Sequence, residues 1–595
     1  MNITADFGNA DFWQPEFDVE TRDDGTILMR QPGELTGYLP TLADYLDKWA
    51  NLTPQQPWIA RRGEDGQWIK IAYGEARDQA RRIGGALLEM GLGPDRPLLI
   101  LSENSLEHAL LGAACFYVGI PYAPVSPAYS LVSKDHGKLR DIAATLQPGA
   151  IFADRGAPFG AAINAISSDG CHVVTAREHY AGAVAFDDLL NGEPQQADAA
   201  RGEVSADTVV KYLFTSGSTG SPKAVINTNG MICAMQAMVR DCYRFVTKTP
   251  PVVLDWAPWN HTAAGNKVSY LVLTNGGTYY IDDGKPAPGK FDETLRNLRE
   301  VSCTWYFNVP IGWDILVEEL EQDAELATTF FKDLKMMFYA GAGMAQLTWD
   351  RLRAIGRKTT GHEVLLATSL GATETAPFAL ACTEVQEKSG NVGVPSKGLT
   401  MKLVPNGGKL ELRLKGPSIT PGYYRDAAKT REAFDEEGFY CMGDALRPAD
   451  PEDLSKGFFF DGRVAENFKL TTGTWVAVGA VRAALVDAMD GLIRDAVITG
   501  EDEAELGALV LLSDRAAKLP EPELTQALSD CLARAAQAAT GSASRVRRIL
   551  VLTETPSFDK GEITEKGSLN QRAMRSNFAA QVDQLHRGGA GVIKV

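Results

Sequence analysis

The feature that most constrains this chain is Lys211-Tyr212-Leu213-Phe214-Thr215-Ser216-Gly217-Ser218-Thr219-Gly220-Ser221-Pro222-Lys223. An apolar run of strand length, Val209 to Phe214, ends in a cluster of hydroxyl and glycine residues. A lysine closes the cluster, and Ala224-Val225-Ile226 resumes a strand. Small residues let a backbone fold tightly around a phosphate chain with its N–H groups aimed inward. Hydroxyls add donors, and Lys223 adds a compact positive charge. The spacing is not that of a Walker loop, because Gly217 and Gly220 stand too close and Pro222-Lys223 leads into a strand. Such clusters also serve as solvated turns, so the loop alone leaves both readings open.

Its surroundings narrow the choice. Tyr73 to Met90 reads as an amphipathic helix closed by Gly91, and Leu106 to Val118 as a second helix. Short apolar runs at Arg96–Leu101, Ala150–Ala153, His172–Thr175, Val252–Trp256, Thr278–Ile281, Thr304–Asn308, Lys335–Tyr339 and Val364–Ala367 read as strands. This alternation predicts an α/β fold. A large N-terminal domain of layered, mostly parallel sheets flanked by helices would span residues 1–461. Ligands in such folds sit beyond the carboxyl ends of the strands, where the Thr215 loop and the turns after Tyr339 and Ala367 fall together. Residues 1–38 read as an extended lead-in that packs on the body. After the acidic, turn-rich stretch 450–457, shorter elements predict a small α+β domain over 462–595, ending in a polar tail.

Composition excludes other classes. The 595 residues carry a net charge of −17 and no basic run, so no nucleic-acid partner is expected. Eight scattered cysteines without a C-x-x-C pair and seven scattered histidines predict no zinc site and a reducing, cytoplasmic compartment. The acidic start does not read as a signal peptide. The uncharged run near His108–Val125 carries Pro121 and Pro124, so it reads as buried core rather than a membrane span.

Several separated motifs resemble the adenylate-forming superfamily of acyl-CoA synthetases, luciferases and peptide-synthetase adenylation domains. Thr215–Lys223 is similar to its phosphate-binding signature. Ser369-Leu370-Gly371-Ala372-Thr373-Glu374 is similar to the second, with Leu370 where an aromatic is usual. Gly443-Asp444 resembles the Thr-Gly-Asp turn, with Met442 replacing threonine. Gly462-Arg463 through Phe468-Lys469 to Gly473 resembles the hinge-side signature.

The resemblance implies ATP, Mg²⁺ and coenzyme A as cofactors, a small carboxylic acid as partner, a mobile C-terminal domain and, as is common in the family, a homodimer. It assigns Thr215, Ser216, Gly217, Ser218, Thr219, Gly220 and Lys223 to the β- and γ-phosphates, Thr373 to the α-phosphate and Glu374 to the metal. Gly341, Ala342 and Gly343 would admit the adenine, Asp444 and Arg463 would hold the ribose, and Lys469 belongs to the nucleotide set. Catalysis of this kind is mostly positioning and charge neutralisation. The catalytic lysine implied is Lys566, with Lys560 as the alternative.

Within the superfamily, Asp255-Trp256-Ala257-Pro258-Trp259-Asn260-His261-Thr262, Phe307-Asn308-Val309-Pro310 and Gly473-Thr474-Trp475-Val476 resemble feruloyl-CoA synthetases. That narrower likeness implies conversion of ferulate, coumarate or caffeate to CoA thioesters, with His261 flanking the acid pocket. Other aryl or fatty acids, or loading of a carrier protein, are the alternatives. Ala263 and Ala264 stand where an aromatic pattern is usual, which implies a roomier pocket. Arg482, Arg494 and Arg545–Arg548 are all open as CoA phosphate contacts.

Overall fold

The fold is described from a computed structural model covering residues 6–216, 222–563 and 569–595. Short apolar runs pair in parallel where helices can cover both faces. A seven-stranded sheet runs in the order Pro222–Thr228, Val209–Ser216, Tyr122–Pro124, Leu98–Leu101, Ala150–Arg155, His172–Arg177, Val184–Ala185. Only its first pair is antiparallel. The helix Tyr73–Glu89 buries Ala76, Ala80, Ile83 and Leu87, the inward stripe expected of its period. The helix Leu106–Val118 starts where Ser105 accepts the His108 N–H and stops at left-handed Gly119, so the residue types at both ends explain its length.

A second sheet orders Val252–Asp255, Thr278–Ile281, Pro57–Arg62 and Trp68–Ala72. A third holds the parallel strands Trp305–Asn308, Met336–Tyr339 and Leu365–Ala367. The Thr304 N–H donates to the Val252 carbonyl at 2.9 Å and joins these two sheets at their edges. Among the described residues, no helix is long and apolar enough to cross a membrane.

The largest sheet is one that the linear pattern does not reveal. Nine strands, all with antiparallel neighbours, run Asp18–Thr21, Ile27–Arg30, Thr400–Asn406, Lys409–Lys415, Tyr440–Pro448, Phe458–Arg463, Asn391–Pro395, Leu380–Ala381, Ser369–Leu370. From Asp18 onward the supposed lead-in is therefore a hairpin, with Ile27 opposite Leu403. Its first strand is exposed throughout and its second buries Met29, and pairing across so many intervening residues leaves no local mark.

A separate apolar core begins at Phe468. It lies under a four-stranded sheet, Ile493–Thr499, Leu506–Leu512, Val546–Val551 and Val592–Lys594, and the helices Val478–Ala488 and Glu521–Ala538. The expected polar tail is instead two helices, Gln571–Asn577 and Ala579–Arg587, and an edge strand. Met574, Phe578 and Leu585, spaced among polar residues, are buried against the sheet's other face. The strand Phe458–Arg463 runs through the point at 461–462 and pairs with Tyr440–Pro448.

Candidate active site

A cleft of about 690 Å³ opens where the strands Val209–Ser216, Met336–Tyr339 and Leu365–Ala367 end. Its lining includes Thr215, Lys223, His261, Gly341, Thr373, Glu374 and Arg463, seven of the residues singled out above. The Thr368 hydroxyl donates to the Tyr339 carbonyl at 2.8 Å, tying two of the contributing turns together.

Glu374 sits in the turn Thr373–Thr375 and is 7% exposed. The backbone reaches it through Gly371, where an added Cβ would lie 1.7 Å from the Pro377 carbonyl oxygen, so only glycine fits. The Tyr423 hydroxyl donates to Glu374 Oε1 at 2.9 Å, and Lys223 Nζ stands 3.5 Å from the same hydroxyl. Burial, then the Glu374 carboxylate, pushes the Tyr423 and Tyr440 hydroxyls above the ordinary phenol range, so both remain protonated donors. Sequence reading passes over Tyr423. Its strand-like segment is set by pairing to Pro222–Thr228, with Val225 opposite Tyr423 and the Tyr424 N–H donating to Ala224, and that contact has no local signature.

Asp444 and Arg463 face each other as register partners in adjacent strands, with Nε 2.8 Å from Oδ1. Asp444 is 4% exposed, and Oδ1 receives no hydrogen bond of acceptable direction despite that short ion pair. Burial pushes its carboxyl up to about 6, against the pull of Arg463. A buried carboxylate oxygen lacking an aligned donor suits a ligand that brings hydroxyl groups.

Gly341, at φ +94, lines the cleft, with only Val309 near the position a Cβ would take. Ala342 and Gly343 follow it on the exposed turn. His261 lines the cleft just before a π-helical turn, Ala263–Val268, and its carbonyl accepts the Gly265 N–H.

Lys469 is not brought to the cleft: it is exposed on the strand Phe468–Lys469, with Nζ 4.9 Å from the Trp475 ring centroid. Gly217, Ser218, Thr219, Gly220 and Lys566 lie outside the described residues, while Ser216 ends its strand. Lys560 is exposed beside Asp559, which accepts a hydrogen bond from Ser133 of the large domain at 2.7 Å.

Among the described residues, no cluster of three or more histidine, cysteine or carboxylate side chains could hold a metal. A single carboxylate such as that of Glu374 suits a cation that takes its other ligands from phosphates and water.

The sequence model of the AMP-binding enzyme family matches residues 46–424, and that of the AMP-binding enzyme C-terminal domain matches residues 469–589. The chain belongs to the AMP-binding enzyme family. It is 25% identical over 568 residues to a carboxylic acid reductase of Mycobacterium marinum, covering 87% of this chain and 46% of that one. A 3-hydroxybenzoate–CoA ligase of Aromatoleum sp. is 23% identical over 469 residues, covering 74% and 81%. The solved McyG A-PCP complexed with phenylalanyl-adenylate shares the fold, with TM-score 0.71, 17% identity and coverage of 93% and 99%. The chain spans under half the length of the curated relatives it matches first. Both family models fall on the two parts of the fold described above, the large domain and the separate C-terminal core.

Proposed function

We propose that this adenylate-forming enzyme converts a hydroxycinnamic acid (ferulate, coumarate or caffeate) to its CoA thioester. The acid's carboxylate attacks the α-phosphorus of ATP, pyrophosphate leaves, and the thiol then attacks the adenylate carbonyl and releases AMP. The observation that carries this reading is one cleft lined by two kinds of group. Tyr423 stands within hydrogen-bonding reach of both Glu374 and Lys223, and Phe338, Leu370, Ala263 and Pro377 supply apolar lining. The polar set suits phosphates and a divalent cation, and the apolar set suits an aryl tail.

In this reading Thr215, Ser216, Gly217, Ser218, Thr219, Gly220 and Lys223 neutralise the leaving pyrophosphate, and Thr373 donates to the α-phosphate. Asp444 and Arg463 hold the ribose. Glu374 holds Mg²⁺, which when bound neutralises phosphate charge. Gly341, Ala342 and Gly343 leave room for the adenine, and His261 packs at the mouth of the acid pocket. Lys566 supplies charge to the transition state, with Lys560 as its alternative, and residues 462–595 turn between the two steps.

A carrier-bound thiol is the second reading, favoured because the first relatives are much longer chains and McyG A-PCP shares the fold. The test is pyrophosphate release from ATP and Mg²⁺ across ferulate, coumarate, caffeate, benzoate and fatty acids, with and without CoA. CoA-dependent turnover on hydroxycinnamates is expected. Turnover on fatty acids alone would overturn the acid assignment, and indifference to CoA would favour the carrier.

A further inference from the structure

We infer that Lys267 reads the far end of the acid substrate, selecting acids whose tail ends in an acidic hydroxyl, a phenol or a second carboxyl. This deepens the assignment above and rests on the cleft being the acid site.

Lys267 lines the cleft yet is 2% exposed. Among the described residues no carboxylate pairs with it. Its polar contact is Ser369 Oγ at 3.4 Å, which is long and weak. Ring faces surround it otherwise: Nζ stands 3.4 Å from the Phe338 centroid and 4.6 Å from that of Phe378. Burial holds the amine well below its ordinary pKa, which favours the uncharged form, whose nitrogen has a lone pair to accept with. A phenol O–H can donate to that nitrogen. A second carboxyl can pass its proton to it and remain as a paired carboxylate. A tail without an acidic hydroxyl offers neither.

The backbone holds the amine in place. Lys267 lies in the π-helical turn Ala263–Val268, where wide turns leave carbonyls needing partners. The Gln236 amide donates to the carbonyls of both Asn266 and Lys267 at 2.9 Å, and the Asn266 amide donates to Asn227 at 2.8 Å. Gly265 is needed there, since a Cβ would lie 2.1 Å from the Trp259 carbonyl oxygen. A buried amine so fixed, lining the cleft and with only a long polar contact among the described residues, is left for a ligand's acidic group to satisfy. Ala263 beside it leaves space for a ring.

The experiment compares matched acids by pyrophosphate release: 4-coumarate against cinnamate and 4-methoxycinnamate, and α,ω-dicarboxylates against monocarboxylates of equal length. Each pair is run on the full chain and on Lys267→Met and Lys267→Arg. The full chain is expected to prefer the acidic-ended member by at least about tenfold in kcat/KM, mostly through KM. Lys267→Met should abolish that preference while leaving KM for ATP and the thermal midpoint near their starting values, and Lys267→Arg should keep the preference for dicarboxylates. Equal losses on both members of a pair, or no preference in the full chain, would overturn the inference. If no cinnamate is turned over but dicarboxylates are preferred, and Lys267→Met abolishes that preference, the hydroxycinnamate assignment falls while the role of Lys267 stands. If Lys267→Met fails to fold, the preference of the full chain and of Lys267→Arg decides.

Discussion

Two regions of the large domain bury ionisable side chains, and they differ in where the hydrogen bonds end. Behind the cleft, the Asp255 carboxylate accepts from the Ala257 N–H at 3.0 Å and the Tyr279 hydroxyl at 3.1 Å. Asp282 is held by Thr294, Asn297 and the Gly284 N–H, and Lys211 donates to the Gly265 carbonyl at 2.8 Å. Each of those groups has a hydrogen-bond partner within the protein at 3.1 Å or less. On the cleft wall, among the described residues, Glu374 takes one bond from Tyr423, Asp444 Oδ1 has no aligned donor, and the one hydrogen bond of Lys267 is a long contact to Ser369. Buried ionisable groups with close partners hold the fold together. Those left open to a cleft await a ligand's groups.

Substitution on the open side should strike activity with little effect on folding. The largest effect is expected from Glu374→Gln, which keeps the acceptor for Tyr423 but removes the charge. Acid-dependent pyrophosphate release should fall by about 100-fold or more, with a higher Mg²⁺ requirement. Unchanged magnesium dependence would move Glu374 into the closed class.

Asp444→Asn comes next, raising KM for ATP by about tenfold with KM for the acid unchanged. The same carboxyl predicts a pH effect. If the ionised form binds ribose, KM for ATP in the unmodified chain should rise as pH falls through about 6, and Asp444→Asn should flatten that profile.

On the closed side the effect is on stability. Burial pushes Asp255 up to about 7. Its folded pKa therefore exceeds that of the unfolded chain. The resulting stability is fully present below the ordinary carboxylate range and is lost as pH rises through about 7. The thermal midpoint should fall over that window, and it should fall less in Asp255→Asn; equal slopes would show that Asp255 does not carry the effect.

Lys211→Met should do least. The Ser269 hydroxyl still donates to the Gly265 carbonyl at 2.9 Å, so a loss of about 1 kcal/mol is expected by chemical denaturation, without a change of acid preference. A change of preference as large as that from Lys267→Met would erase the distinction between the regions.

Local chemistry carried much of this into the linear chain. The helix Leu106–Val118 is bounded by its own serine cap and glycine stop, and the strands Thr278–Ile281 and Met336–Tyr339 stand out as continuous apolar runs between turns. Thr215, Lys223, Thr373, Glu374, Asp444 and Arg463 could be named because motifs of fixed residue type and order hold them. What pairing decides was hidden. The nine-stranded sheet joins Ile27 to Leu403. Tyr423 reaches Glu374 because its segment lies along the strand Pro222–Thr228, and Asp444 meets Arg463 because register sets them opposite. Lys267 looks like any surface lysine until the π-helical turn and the rings of Phe338 and Phe378 bury it. Propensity and motif act over a few neighbouring residues and so are written in order along the chain. Register, burial and the direction of a hydrogen bond depend on residues hundreds of positions away, and only the folded arrangement decides them.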